Sequence, residues 1–147
     1  MKLSVCIAGL CGVALLVGAG CGGDDNDTLS YEDTGTEIST ICASVEDESQ
    51  GLTGDPENDA PIIEGFVPAF SDAIQEVRDL DVNEELESIR DEFVDNADQQ
   101  LALIEEAQAA AETGDKKEYR QALQAMTPLD SESNELANEL GAEGCID

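Results

Sequence analysis

A long stretch of helical periodicity near the middle of the chain constrains the fold more than any other feature. From 84 to 112, apolar residues recur every three or four positions, which places them on one face of an α-helix. The members of this apolar stripe are Leu86, Ile89, Phe93, Ala97, Leu101, Ile104 and Ala107 or Gln108. The opposite side of the helical wheel carries the carboxylates of Glu84, Glu87, Asp91, Asp95 and Asp98. A helix with one apolar face has to bury that face, so this pattern predicts a protein built from packed helices.

Two further segments before this helix show the same kind of pattern. Thr34 and Glu37 have the spacing of a capping box and predict the start of a first helix. This helix would end near 50, and a loop rich in glycine and proline would run from 51 to 61. Pro61 predicts the start of a second helix, because proline is favoured in the first helical turn. Apolar residues continue at helical spacing in both segments, at Ile38, Ile41, Cys42 and Val45 and at Phe66, Phe70, Ile74 and Val77.

The last third of the chain predicts a fourth helix. Gly114 ends the central helix and Asp115 can cap the next one, which Gly141 would terminate. Pro128 predicts either a kink in this helix or two short helices stacked end to end. No segment alternates apolar and polar residues as a strand does. We therefore predict an all-α fold, a small up-down bundle of about four helices spanning 34–147.

The composition of the chain is strongly acidic and lacks histidine. Aspartate and glutamate number 35 against 6 lysines and arginines, which gives a formal net charge of −29. Such a charge opposes binding to nucleic acid. It is typical of proteins adapted to salt, where counterions screen the carboxylates, and it also leaves dedicated cation binding open. The absence of histidine removes Ser-His-Asp and Cys-His catalysis and the commonest zinc sites.

Three clusters of charged residues are candidates for chemistry, and each has a simpler interpretation. The acidic stripe on the central helix is expected to be a solvated face. The loop containing Asp55, Glu57, Asn58 and Asp59 groups oxygen ligands but lacks the order of an EF-hand, so at most weak cation binding is expected. The basic cluster of Lys116, Lys117 and Arg120 is expected to pair within the bundle rather than with a partner. We predict no catalytic residues, no resident metal and no cofactor.

The N-terminus has the order of a secretory signal peptide. Lys2 precedes an uncharged apolar run that is too short to span a bilayer, and small residues at 18–20 lead directly into Cys21. The motif Gly-Ala-Gly-Cys at 18–21 resembles the lipobox of prokaryotic lipoproteins. That resemblance implies a signal peptide over 1–20 and a diacylated Cys21, as with palmitate, at the mature N-terminus. Residues 21–33 would then form a flexible acidic tether. The alternative is an ordinary cleaved signal peptide with Cys21 free or lost, and Cys6 and Cys11 are poorer acceptors.

Two cysteines remain beyond this motif, Cys42 and Cys145. In an exported protein an even remaining pair predicts one disulfide, with a metal site or a reactive thiol as the alternatives. The C-terminal sequence ANELGAEGC, 137–145, resembles that of small exported helical proteins and lipoproteins of actinobacterial type. In that group the late cysteine commonly pairs with one in the first helix, which implies the same bridge here.

These expectations define a function only by class. We predict a lipid-anchored, extracytoplasmic helical-bundle lipoprotein of the cell envelope that is not an enzyme and has a binding or structural role. Its contact with the cell membrane would be through the N-terminal lipid on Cys21, and an envelope protein is the expected kind of partner. The alternative is a lipoprotein that binds a cation or a small ligand.

Overall fold

The computed structural model describes residues 28–49 and 51–146, with the side chains of 47–49 left out. Four α-helices and a short C-terminal turn make up this part of the chain. They are α1 (Tyr31–Ser49), α2 (Pro56–Arg78), α3 (Glu84–Thr113), α4 (Lys116–Leu140) and the 3₁₀ turn Glu143–Cys145. Within the described residues no strand is present, and the predicted all-α bundle is confirmed.

The helices form a ring in chain order, and each one packs mainly against its neighbours. Contacts are extensive between α1 and α2, between α2 and α3, and between α3 and α4, whereas α4 and α1 touch only sparsely. The C-terminal turn packs against α1 instead and covers part of this side. The apolar stripes of all four helices face the interior of the ring.

Local capping explains why α3 and α4 begin and end where they do. The Asn83 side chain accepts hydrogen bonds from the second and third backbone N–H groups of α3, and Asp115 does the same for α4. Gly114 and Gly141 follow the two helices with φ angles of 71°, the left-handed conformation that glycine adopts without steric cost. The boundaries at Gly114, Asp115 and Gly141 are those predicted from the sequence. α4 runs as one continuous helix through Pro128.

The predicted start of α1 at Thr34 is wrong, because the helix begins one turn earlier. The Ser30 hydroxyl accepts a hydrogen bond from the Asp33 backbone N–H (3.2 Å) and donates one to the Asp33 carboxylate (2.6 Å). Just before it, the Leu29 backbone N–H donates to the Asp81 carbonyl at 2.7 Å, which fixes the entry of the chain. Thr34 is fully buried inside the helix instead.

The predicted start of α2 at Pro61 is also wrong. The helix begins at Pro56, where Asp55 is the N-cap and accepts a hydrogen bond from the Glu57 backbone N–H at 3.2 Å. Either proline suits a first turn. The earlier start prevails because it places Asp59 on the buried side of the helix, where it binds groups from two other parts of the chain.

One glycine allows α1 and α4 to approach closely at a single point. A Cβ atom built on Gly35 would overlap the carbonyl oxygen of Gly141 and would lie 2.9 Å from that of Leu140. The start of α1 therefore rests directly on the end of α4. Further along α1, residues of both helices line a cavity that lies between them.

Candidate functional site

A disulfide fixes the C-terminal turn against α1. Cys42 of α1 and Cys145 of the turn are joined with an S–S distance of 2.06 Å and a Cα–Cα distance of 5.3 Å. Next to the bond, the Gly144 backbone N–H donates to the Ser39 hydroxyl at 3.1 Å. The last residues of the chain are thus held on the sparsely packed side of the helix ring.

A partly open cavity of about 240 Å³ lies beside this disulfide, between the four helices and the C-terminal turn. We call it the central cavity. Its wall is mostly apolar, formed by Ile41, Val45, Phe66, Phe70, Ala73, Ile74, Val77, Phe93, Val94, Ala97, Ile146 and the disulfide itself. Polar side chains line the remainder, namely Glu46, Gln100, Asp130, Ser133 and Asn134. This combination of an apolar wall and a few polar groups is typical of small-molecule sites.

The way in which the helices pack accounts for the central cavity. α1 contacts α4 at Gly35, and farther along the two helices Val45 and Glu46 of α1 and Asp130 and Asn134 of α4 line the cavity. On the other side, α2 and α3 contribute small side chains, including two alanines, to the lining. The rings of Phe66 and Phe70 stack with centroids 5.3 Å apart and planes inclined by 15°. This stacked pair forms a flat aromatic part of the wall.

The sequence predicted the apolar part of this lining only as helix-packing surface. Phe66 and Phe70 belong to the predicted apolar face of α2, and Phe93 belongs to that of α3. Glu46 and Asp130 carried no signal, because both are acidic residues in helices that contain many others. Only the distance between α1 and α4 brings these two side chains to one cavity.

A chain of hydrogen bonds supports the polar part of the cavity. The Asn96 side-chain amide donates to the Glu132 carboxylate at 3.2 Å, and the Gln100 side-chain amide donates to the side-chain oxygen Oδ1 of Asn96 at 2.9 Å. Asn96 is only 2% exposed, whereas its partner Glu132 is exposed, so the chain of hydrogen bonds runs from the surface into the bundle. Gln100 therefore reaches the cavity with one amide N–H already engaged inside the bundle.

A second polar cluster lies at the junction of α2, α4 and the preceding loop. Both Asp59 and Tyr119 are 0% exposed. One carboxylate oxygen of Asp59 accepts from the Thr53 backbone N–H and from its hydroxyl, each at 2.8 Å. The other accepts from the Gly54 backbone N–H and from the Tyr119 hydroxyl, each at 2.7 Å. We call this arrangement the Asp59 network, and its four donors satisfy a carboxylate that water does not reach.

The protonation states of the Asp59 network follow from these contacts. Burial by itself would raise the pKa of Asp59, but the hydrogen bonds from Thr53, Tyr119 and Gly54 outweigh it and hold the pKa below 3.8. Burial, with the hydrogen bond to Asp59, raises the pKa of Tyr119 well above its ordinary value of 10.0. The carboxylate is charged and the phenol is neutral across the physiological range. The pair therefore holds elements together and is not poised to transfer protons.

The candidate cation loop is used by the fold in a different way. Asp55 caps α2 and forms an ion pair with Lys116 at 3.3 Å, while Asp59 points into its own network. Glu57 and Asn58 remain exposed. The four oxygen ligands are thus not directed at a common point, and no group of three or more potential ligands occurs among 28–49 and 51–146.

The other charged clusters lie on the surface. All five carboxylates of the acidic stripe are exposed, and Asp98 pairs with Arg78 at 2.7 Å. In the basic cluster, Lys116 pairs with Asp55, and the Arg120 side chain donates to the Lys116 carbonyl at 2.9 Å. Exposed pairs of this kind contribute little to stability.

The predicted signal peptide, 1–20, and the predicted lipidation site, Cys21, lie outside the described residues. Among the helices that are described, none has the length and apolar character needed to cross a membrane. Comparisons with protein-family models, with curated proteins and with solved structures gave no match to this chain. The central cavity and the N-terminal sequence are therefore the two features that bear on function.

Proposed function

We propose that this chain is a lipid-anchored, extracytoplasmic lipoprotein of the cell envelope that binds a small, largely apolar molecule in its central cavity. The lipid on Cys21 would attach it to the membrane, and the helical bundle would present the cavity outside the cytoplasm. The proposed role is binding, without catalysis.

The central cavity carries the binding part of this proposal. An apolar cavity of about 150 Å³ is large enough to bind benzene. The central cavity, at about 240 Å³, exceeds that size and is partly open to solvent. Its volume lies below the roughly 300–1,000 Å³ of pockets for drug-sized molecules, which favours a small ligand.

Two features support the location. The signal-peptide pattern ends in a cysteine that resembles a lipidated one, and a disulfide lies in the folded domain. Disulfides persist in exported proteins and are rare in the reducing cytosol of most organisms. Each buried acyl methylene contributes about 0.8 kcal/mol, so two chains on one cysteine are sufficient for stable anchoring.

A neutral apolar probe tests the binding proposal. We expect toluene to raise the midpoint of thermal unfolding and to shift the NMR signals of Phe66, Phe70 and Phe93, because ligands that bind only the folded state stabilise it. Ala97→Leu, which adds a branched side chain to the cavity wall, should weaken binding at least tenfold. The matched control is Ala102→Leu, on the exposed side of the same helix, and it should bind toluene as the unchanged protein does.

The outcome that would contradict the proposal is equally specific. If the NMR signals of Phe66, Phe70 and Phe93 do not shift when toluene is added, the central cavity is not a binding site. Equal binding by Ala97→Leu and by the unchanged protein would place the probe elsewhere and would contradict the proposal as well.

A further inference from the structure

We infer that the natural ligand of the central cavity is an organic cation, a positively charged amine or quaternary ammonium group on a short apolar body. The inference rests on the proposed binding function and specifies the chemistry of the ligand. It follows from the charges, the aromatic rings and the volume of the cavity.

Charge gives the first step. Two carboxylates, those of Glu46 and Asp130, line the cavity, and no lysine or arginine is among its described lining residues. Both acidic side chains are exposed to solvent, and each also interacts within the protein. The chain as a whole carries a net charge of −29. A cation entering the cavity is attracted by this field, whereas an anion is repelled by it.

The positions of the basic residues give the second step. Arg78 pairs with Asp98 at 2.7 Å, and Arg90 donates to the Leu80 carbonyl at 2.7 Å. Lys116 pairs with Asp55 at 3.3 Å and does not line the cavity. A cationic side chain is the strongest anchor for fatty acids and other anionic amphiphiles, and the described lining contains none. The apolar wall would accept their chains, but their carboxylates would meet like charge.

The aromatic rings give the third step. Phe66 and Phe70 form the stacked pair in the wall, and Phe93 adds a third ring from α3. The faces of aromatic rings attract cations, most strongly where water is excluded, and quaternary ammonium ligands are recognised in this way. The same rings are neutral toward an alcohol and unfavourable for a carboxylate. Rings and carboxylates therefore select the same sign of charge.

Volume limits the size of the apolar part. A cavity of about 240 Å³ admits a short alkyl chain or one ring, while a partly open side leaves room for a charged group at the polar lining. The ligand expected is thus smaller than a membrane lipid. It would place its apolar end against the rings of α2 and α3 and its cationic end near Glu46 and Asp130.

Three probes with the same eight-carbon chain separate charge from apolar burial. Octyltrimethylammonium, 1-octanol and octanoate are titrated, below their aggregation concentrations, into the oxidised, exported chain. Residues 1–21 are replaced by an ordinary cleavable signal peptide, so that the mature chain carries no lipid and needs no detergent. Binding is measured by calorimetry and located by the NMR signals of the cavity phenylalanines. We expect the ammonium to bind at least tenfold more tightly than the alcohol, and octanoate to bind most weakly.

Matched variants test whether Glu46 and Asp130 cause the preference for the ammonium over the alcohol. The double variant Glu46→Gln/Asp130→Asn should reduce the preference for the ammonium over the alcohol to less than threefold. The control Asp95→Asn/Glu105→Gln removes the same charge from two exposed positions of α3 that do not line the cavity, and it should keep the preference. Ala97→Leu should weaken binding of the ammonium and the alcohol alike, which distinguishes the cavity from surface attraction.

The results that overturn the inference differ from those that overturn the proposed function. If the ammonium and the alcohol bind in the cavity equally tightly, the inference of a cationic ligand is refuted. A neutral apolar ligand would still be consistent with the proposed function, which would stand. If both double variants lose the preference for the ammonium over the alcohol to the same extent, the net charge of the protein explains that preference and the inference is refuted. If none of the probes shifts the cavity signals, both the inference and the proposed function are wrong.

Discussion

Asp59→Asn is expected to lower the free energy of unfolding by about 3 kcal/mol, because it breaks a fully buried charged network. The substitution keeps the shape of the side chain and one oxygen acceptor, which can still bind Thr53. The new amide group, however, places its own N–H donors where the Gly54 N–H and the Tyr119 hydroxyl now donate. The Tyr119 hydroxyl can turn and accept from the amide. The Gly54 N–H can only donate, so its hydrogen bond is lost, and the remaining hydrogen bonds are no longer made to a charged acceptor.

The matched control is Asp72→Asn, an exposed aspartate on the same helix, which should change the free energy of unfolding by less than about 0.5 kcal/mol. Urea unfolding followed by circular dichroism measures both variants. A loss of less than 1 kcal/mol in Asp59→Asn would show that the network does not hold α2, the loop and α4 together.

Acid pH provides an independent check on the same residue. The pKa of Asp59 is below 3.8 in the folded protein, so the unfolded chain takes up the proton first as the pH falls. The stabilisation from Asp59 is therefore complete above its unfolded pKa and is lost as the pH falls through the lower, folded pKa. The difference in stability between the unchanged protein and Asp59→Asn should be constant near neutral pH and should shrink below about pH 4. A difference that widens in acid would mean that burial dominates and that the pKa is raised instead.

Removal of the disulfide is expected to have the second large effect. The bridge joins residues separated by 103 positions, and closing a loop of this length restricts the unfolded chain strongly. Cys42→Ser/Cys145→Ser should lower the free energy of unfolding by about 2–4 kcal/mol. Removal of the disulfide should also change the shape of the central cavity, because the two cysteines and Ile146 line it. We expect toluene binding to weaken at least fivefold in the double variant.

A reducing agent supplies the control for this prediction. It should bring the unchanged protein to the stability of the double variant, and it should leave the double variant itself unaffected. If the reduced protein and the double variant both remain as stable as the oxidised protein, the C-terminal turn is held by its packing alone and the bridge is dispensable for the cavity.

The boundaries that the sequence predicted correctly depend on residues close together in the chain. Asp115 caps α4 through backbone groups two and three positions away, and Gly114 and Gly141 end helices through their own φ angles. Such signals need no knowledge of the tertiary structure. The start of α1 was open to the same reasoning, since Ser30 and Asp33 have the spacing of a capping box one turn before Thr34.

The features that could not be predicted depend on residues far apart in the chain. Asp59 was assigned to a loop because it stands among glycines and prolines. Its burial in a helix depends on hydrogen bonds from Thr53, from Gly54 and from Tyr119, the last of these sixty positions away. The central cavity depends on how far α1 and α4 diverge after their contact at Gly35. Periodicity identifies the face that each helix buries, but it does not determine whether the buried faces fill the space between them.

The mass of the native protein, purified from its own membranes without a reducing agent, tests the central claim most directly. A lipid-anchored, exported bundle predicts a chain that begins at Cys21, carries acyl groups on that residue and lacks two hydrogens because Cys42 and Cys145 are joined. A chain that still begins at Met1, without acyl mass and with every thiol reduced, would contradict both the proposed location and the oxidised domain on which the binding proposal depends.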